Sequence, residues 1–123
     1  MGSCKNYLKQ TLPLLTLTFL NLAYTAENKF TLTDVVTLQS EAKTITTLFE
    51  DKFKVIGIGL KTHQKLEKHQ TNTKAFLLVQ SGRVQFDMNK NRQIISSGEY
   101  IEIPIKKEHE VKALEDSILL LIK

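Results

Sequence analysis

The chain has 123 residues, 41% of them hydrophobic and 24% charged, the range of one soluble globular domain with a single core. Its only cysteine, Cys4, excludes an intramolecular disulfide and a cysteine-based zinc site. The formal net charge of +4 is scattered rather than gathered into the basic stripe that nucleic acid would need, and no run reaches the roughly 18 apolar residues of a membrane-spanning helix, so neither nucleic acid nor a membrane is expected as a partner. In chain order, residues 1–28 read as an N-terminal extension ahead of one barrel domain over residues 29–123. Two descriptions fit the extension. Lys5 and Lys9 precede an apolar stretch from Leu12 to Ala23, as in an export signal, yet Pro13, Thr16 and Thr18 interrupt it, and a cut after Ala26 would leave Tyr24 where a small residue is preferred. Leu15, Leu17 and Phe19 also alternate with Thr16 and Thr18, the period of a half-buried strand. A retained segment and a cytoplasmic protein are expected; export is the alternative if residues 1–26 are a signal.

From Phe30 onward short runs of Val, Ile, Leu, Thr and Phe follow one another, each closed by turn residues. Strands are expected over Phe30–Leu38, Thr44–Phe49, Phe53–Leu60, Ala75–Gln80, Arg83–Met88, Arg92–Ile95, Tyr100–Ile103, His109–Leu114 and Ser117–Ile122. Ser81-Gly82, Asn89-Lys90-Asn91, Ser96-Ser97-Gly98 and Glu115-Asp116 supply the turns. The basic stretch from Lys61 to Lys74 reads as a solvated loop, with His63 exposed in its first turn. No helical period runs for ten residues past the extension, which disfavours a βαβ architecture and leaves an all-β sandwich or barrel. Val84, Phe86 and Met88 alternate with Arg83, Gln85 and Asp87, so one face of that strand belongs to the core. Ile118 to Ile122 is apolar on both faces; its outer side calls for a cover, either the N-terminal segment or a second subunit, and a homodimer is expected.

The segment Gly98 to His109, GEYIEIPIKKEH, resembles the second sequence motif of the cupins, with Gly98, Pro104 and His109 in the three places that define it. The segment Glu67 to Gly82, EKHQTNTKAFLLVQSG, resembles the first motif, but only His69 and Gly82 match: Thr71 stands where a second histidine is usual and Ala75 where a glutamate is usual. Lys106 replaces a common glycine and Ala113 a common asparagine in the second motif. The resemblance spans roughly Phe53 to Ile122. It implies a single-domain antiparallel jelly-roll β-barrel, and it implies that His69 and His109 are what is left of a four-ligand metal site.

Two imidazoles fall short of the three or four protein ligands that usually hold a divalent transition metal. The cofactor expectation is therefore none, or a weakly held divalent metal on His69 and His109. With those histidines inward, strand parity turns Thr71, Ala75, Leu77 and Val111 inward too, together with Val79 and Ala113. That set suits a small, largely apolar ligand fixed by a few directional hydrogen bonds, and it equally suits a barrel filled by its own side chains. The functional expectation is a non-catalytic or weakly catalytic small-molecule-binding barrel with a degenerate metal site. The alternative is a metal-dependent enzyme of dioxygenase or isomerase type with a non-standard ligand set. The sequence leaves open whether any reaction is catalysed.

Overall fold

Nine antiparallel strands carry almost all of the regular structure in the computed structural model, which describes residues 29–123. The expected N-terminal extension, residues 1–28, lies outside the described residues. After a single turn of helix, α1 (Leu32–Val35), come β1 (Thr44–Glu50), β2 (Lys54–Leu60), β3 (Lys65–His69), β4 (Ala75–Ser81), β5 (Arg83–Met88), β6 (Asn91–Ser96), β7 (Tyr100–Ile103), β8 (His109–Ala113) and β9 (Ser117–Ile122). Five of them form one sheet in the order β1-β2-β9-β4-β7, and four form the other in the order β3-β8-β5-β6. Residues 32–123 make one compact unit, and the two sheets close it as the expected all-β jelly roll.

The turns behave as their residues dictate. Asn89 and Lys90 have φ of 53° and 66° and link Met88 to its register partner Asn91, a two-residue hairpin of the type that needs left-handed backbone at both positions. At Gly82 (φ 93°) the chain leaves the first sheet at Ser81 and enters the second at Arg83. Ser117, fully buried, ties this corner down by donating to the Glu115 carbonyl at 2.7 Å and accepting from the Arg83 N–H at 3.0 Å.

The inner faces supply one core, including Ile58, Leu60, Leu77, Val79, Val84, Phe86, Val111 and Leu119. On β4, β5 and β8 burial alternates with period two, as the sequence pattern requires. Among the described residues, no buried side-chain nitrogen or oxygen lacks a hydrogen-bond partner.

Two expectations about local structure are corrected. Phe30–Leu38, expected as a strand, contains the helical turn α1 instead; Thr31-Leu32-Thr33-Asp34 has the spacing of a helix-capping box, and the helix ends so that Val36 packs where a Cβ on Gly57 would stand. Burial of Val36 to 1% exposure outweighs the β propensity of this stretch. Lys61–Lys74, expected as a loop, contains β3, which pairs with β8. His63 does sit exposed in a turn, with φ of 76°. No helix among the described residues is long and apolar enough to cross a membrane.

Candidate functional site

β3 and β8 are antiparallel neighbours, and their register sets His69 directly opposite His109. The pairing depends on an irregularity. Leu66 faces Val111, so two residues separate the partners on β8 while three separate them on β3. One extra residue, a β-bulge, therefore lies between Leu66 and His69, and it turns His69 to the same face as Leu66, where strict alternation would have sent it outward.

The two rings stand 4.4 Å apart, centroid to centroid, tilted by 59°. His109 is 4% exposed and stacks on Phe86 at 5.7 Å, whereas His69 is open to solvent. Each imidazole is held the same way. Nδ1 of His69 lies 2.7 Å from the Glu67 carbonyl and Nδ1 of His109 lies 2.9 Å from the Lys107 carbonyl. A carbonyl only accepts, so both Nδ1–H groups donate, and each neutral ring keeps its lone pair on Nε2. The result is a pair of anchored imidazoles offering two acceptors on neighbouring strands.

Burial is the main reason that the His109 pKa lies below its ordinary value of 6.5; the hydrogen bond to the Lys107 carbonyl opposes this, and a charge on His69 reinforces it. His109 is therefore neutral at pH 7, and protonating it in the folded barrel is harder than in the unfolded chain. The unfolded chain binds the extra proton as pH falls through 6.5, so stability is expected to fall there with a slope of at most about 1.4 kcal/mol per pH unit. Denaturation midpoints at pH 7.5 and 5.5 check this: His109→Gln is expected to flatten the decline, and equal slopes for both proteins would refute the assignment.

Of the other residues expected at the site, Thr71 lies in the connection from β3 to β4, where its hydroxyl donates to the Thr73 carbonyl and its carbonyl accepts from the Lys106 N–H. Ala75, Leu77 and Val111 lie in the core with exposures of 8%, 1% and 1%. His69 and His109 thus meet, Thr71 sits in a neighbouring connection, and the three apolar residues belong to the packed interior. Met88 also belongs here. It is the register partner of His109 on β5 and is partly buried against the core, so imidazole, imidazole and thioether follow one another across the sheet. The alternation of Val84, Phe86 and Met88 already carried the signal for it.

The donor set does not fit a resident transition metal. Among the described residues no group of three or more His, Cys, Asp or Glu side chains could hold an ion, and Thr71 and Ala75 offer no imidazole or carboxylate in place of the missing ligands. The carboxylates nearest in sequence, Glu108 and Glu110, line an adjoining basin that shares Met88 with the site. With Lys68, Asp87, Lys90 and Arg92 they border a basin of about 590 Å³ along the β5–β6 hairpin. Its three cations and three anions cancel, and Asp87 accepts from Arg92 at 2.8 Å, which holds the Asp87 carboxyl below its usual range. That basin reads as a solvated, charge-balanced surface; the pair of free imidazole acceptors is the more specific chemistry.

Solved structures with this arrangement of strands include a conserved protein of unknown function from Streptococcus pyogenes, 20% identical over 77% of this chain and 84% of its own, with a TM-score of 0.71. An RmlC-like cupin protein from Desulfovibrio desulfuricans is 21% identical over 78% of this chain and 94% of its own, with a TM-score of 0.70. A cupin superfamily protein from Desulfitobacterium hafniense is 10% identical over 79% of this chain and 90% of its own, with a TM-score of 0.73. At these identities the likeness is one of fold. Neither a family model nor a curated protein matches the chain.

Proposed function

We propose, with the cupin fold of this chain as the premise, that it is a binding barrel for a small, largely apolar molecule, held at the mouth by His69 and His109 without obligatory catalysis. The observation that supports this reading is the shared anchoring of the two imidazoles: both Nδ1 atoms face carbonyls two residues upstream, so both Nε2 atoms are free acceptors on adjacent strands. A ligand carrying one or two hydroxyl or amine donors would meet both acceptors at once, while Met88 and the aliphatic interior offer it an apolar floor. The interior below is filled by the protein's own side chains, so the ligand lies at the rim.

Calorimetric titration of a hydroxylated and aminated small-molecule panel into the wild type and into a His69→Ala, His109→Ala double variant tests the reading. Binding in the wild type, weakened at least about 10-fold in the variant, is expected. Indistinguishable titrations would remove the imidazoles from the site.

A metal-dependent enzyme is the second reading, favoured by one feature: an imidazole whose Nδ1–H is fixed by a carbonyl is also prepared to ligate through Nε2. Metal analysis separates the two. Protein purified without chelators is expected to hold substoichiometric iron, manganese, nickel and zinc; a full equivalent of any of them would favour the enzyme.

A further inference from the structure

Counted by formal charge, the basin beside the imidazole pair is balanced; counted by what each charged group already holds, it is not. Asp87 receives two hydrogen bonds from the Arg92 guanidinium, at 2.8 and 3.2 Å, and Glu110 faces the Lys65 ammonium at 3.6 Å. Those groups are occupied. Lys68, Lys90 and Glu108 remain, and none of them forms an ion pair among the described residues. All three are exposed, so the open part of the basin presents two ammonium groups against one carboxylate.

One row of side chains leads from the site into the basin. His69, His109, Met88 and Asn91 are register partners on the neighbouring strands β3, β8, β5 and β6, and the last two of them line the basin. Lys68 directly precedes His69 in the chain, and Lys90 sits in the hairpin turn between Met88 and Asn91. Neighbouring strands are about 4.8 Å apart, which puts Met88 roughly 10 Å from His69 along this row, with His109 between them. A thioether thus separates two acceptors at one end from two cations at the other.

We propose that the ligand of the imidazole pair is an amphipathic carboxylate: a hydroxyl or amine donor shared by the two Nε2 atoms, an apolar body over Met88, and a carboxylate held in the basin by Lys68 and Lys90. This rests on the binding reading above and adds the anionic end. A neutral alcohol would satisfy the imidazoles and leave both ammonium groups without a partner. A carboxylate meets them as well, and charge of this kind selects among ligands. A hydroxy or amino acid with about 5–10 Å between donor and carboxylate has the matching span. Glu108 opposes the carboxylate but is outnumbered by the two lysines.

Calorimetry on the full chain with two probes, para-hydroxyphenylacetate and its neutral amide, tests this. At about 20 mM salt the carboxylate is expected to bind at least about 5-fold more tightly than the amide, and the gap is expected to narrow at about 500 mM. A Lys68→Gln, Lys90→Gln double variant is expected to bind the two probes equally, with the amide bound as in the wild type; thermal melts confirm its folding. Glu108→Gln is expected to tighten carboxylate binding by about 2-fold. Equal binding of both probes by the wild type overturns the inference, as does a preference that survives the loss of both lysines. The imidazole reading then still stands if the His69→Ala, His109→Ala variant weakens the amide. Amide binding indifferent to that variant, or no binding of either probe by the wild type, overturns both.

Discussion

Replacing Phe86 with alanine is expected to destabilise the barrel by about 3–5 kcal/mol, the range for removing a fully buried aromatic ring. Phe86 is 1% exposed and sits on the inner face of β5 between Val84 and Met88, with Val111 opposite on β8. Its ring also lies at 15° to that of His109, so it backs the imidazole as well as filling the core. Urea denaturation followed by circular dichroism measures the loss. Phe86→Leu, which keeps most of the volume, is expected to lose roughly 1–2 kcal/mol. A cost below about 1 kcal/mol for the alanine variant would mean that the barrel is not closely packed at the level of the site.

Gly82→Ala is the second large effect. The φ of 93° at this corner disfavours any L side chain, and a Cβ there would run into Ser117 Oγ and the Asp116 carbonyl, neither of which has room to retreat from the buried Ser117 lock. Left-handed backbone costs about 1–2 kcal/mol and overpacking about 1–3 kcal/mol, so a loss of roughly 2–5 kcal/mol is expected. Gly98 is the internal control. It has a similar φ of 85°, but a Cβ placed there would meet nothing within 4 Å, so Gly98→Ala isolates the backbone cost. Thermal denaturation of both variants should separate them clearly; equal losses would show that the Ser117 corner gives way freely.

The eight strands with clear punctuation were legible because their residues satisfy two demands at once. In Ala75–Ser81 and Arg83–Met88 the period of hydrophobicity matches the period of burial, and the flanking Gly82 and Asn89 are the residues that those turns require. β3 was illegible for a physical reason. As a short edge strand with a bulge, Lys65–His69 keeps only Leu66 partly buried and places Leu66 and His69, three apart, on one face, so no period of two survives in its sequence. α1 was hidden by its surroundings: Phe30, Val35, Val36 and Leu38 favour extension, and the capping-box spacing of Thr31 and Asp34 covers a single turn, whose reason is completed only by the contact between Val36 and the bare backbone at Gly57. At the site, the motif resemblance located both histidines. The orientation of their rings was beyond it, since that is fixed by backbone carbonyls whose positions depend on the bulge and on the approach to β8.

β9 lies in the middle of its sheet, between β2 and β4, although it follows both in the chain by many residues. During translation, then, β2 and β4 must each wait with one edge unpaired until Ser117–Ile122 has cleared the ribosome; until that moment the four strands of the other sheet can pair, but this sheet exists only as the separate pairs β1–β2 and β4–β7. A late-arriving central strand makes the fold slow to assemble and gives chaperones a defined window in which to shield it.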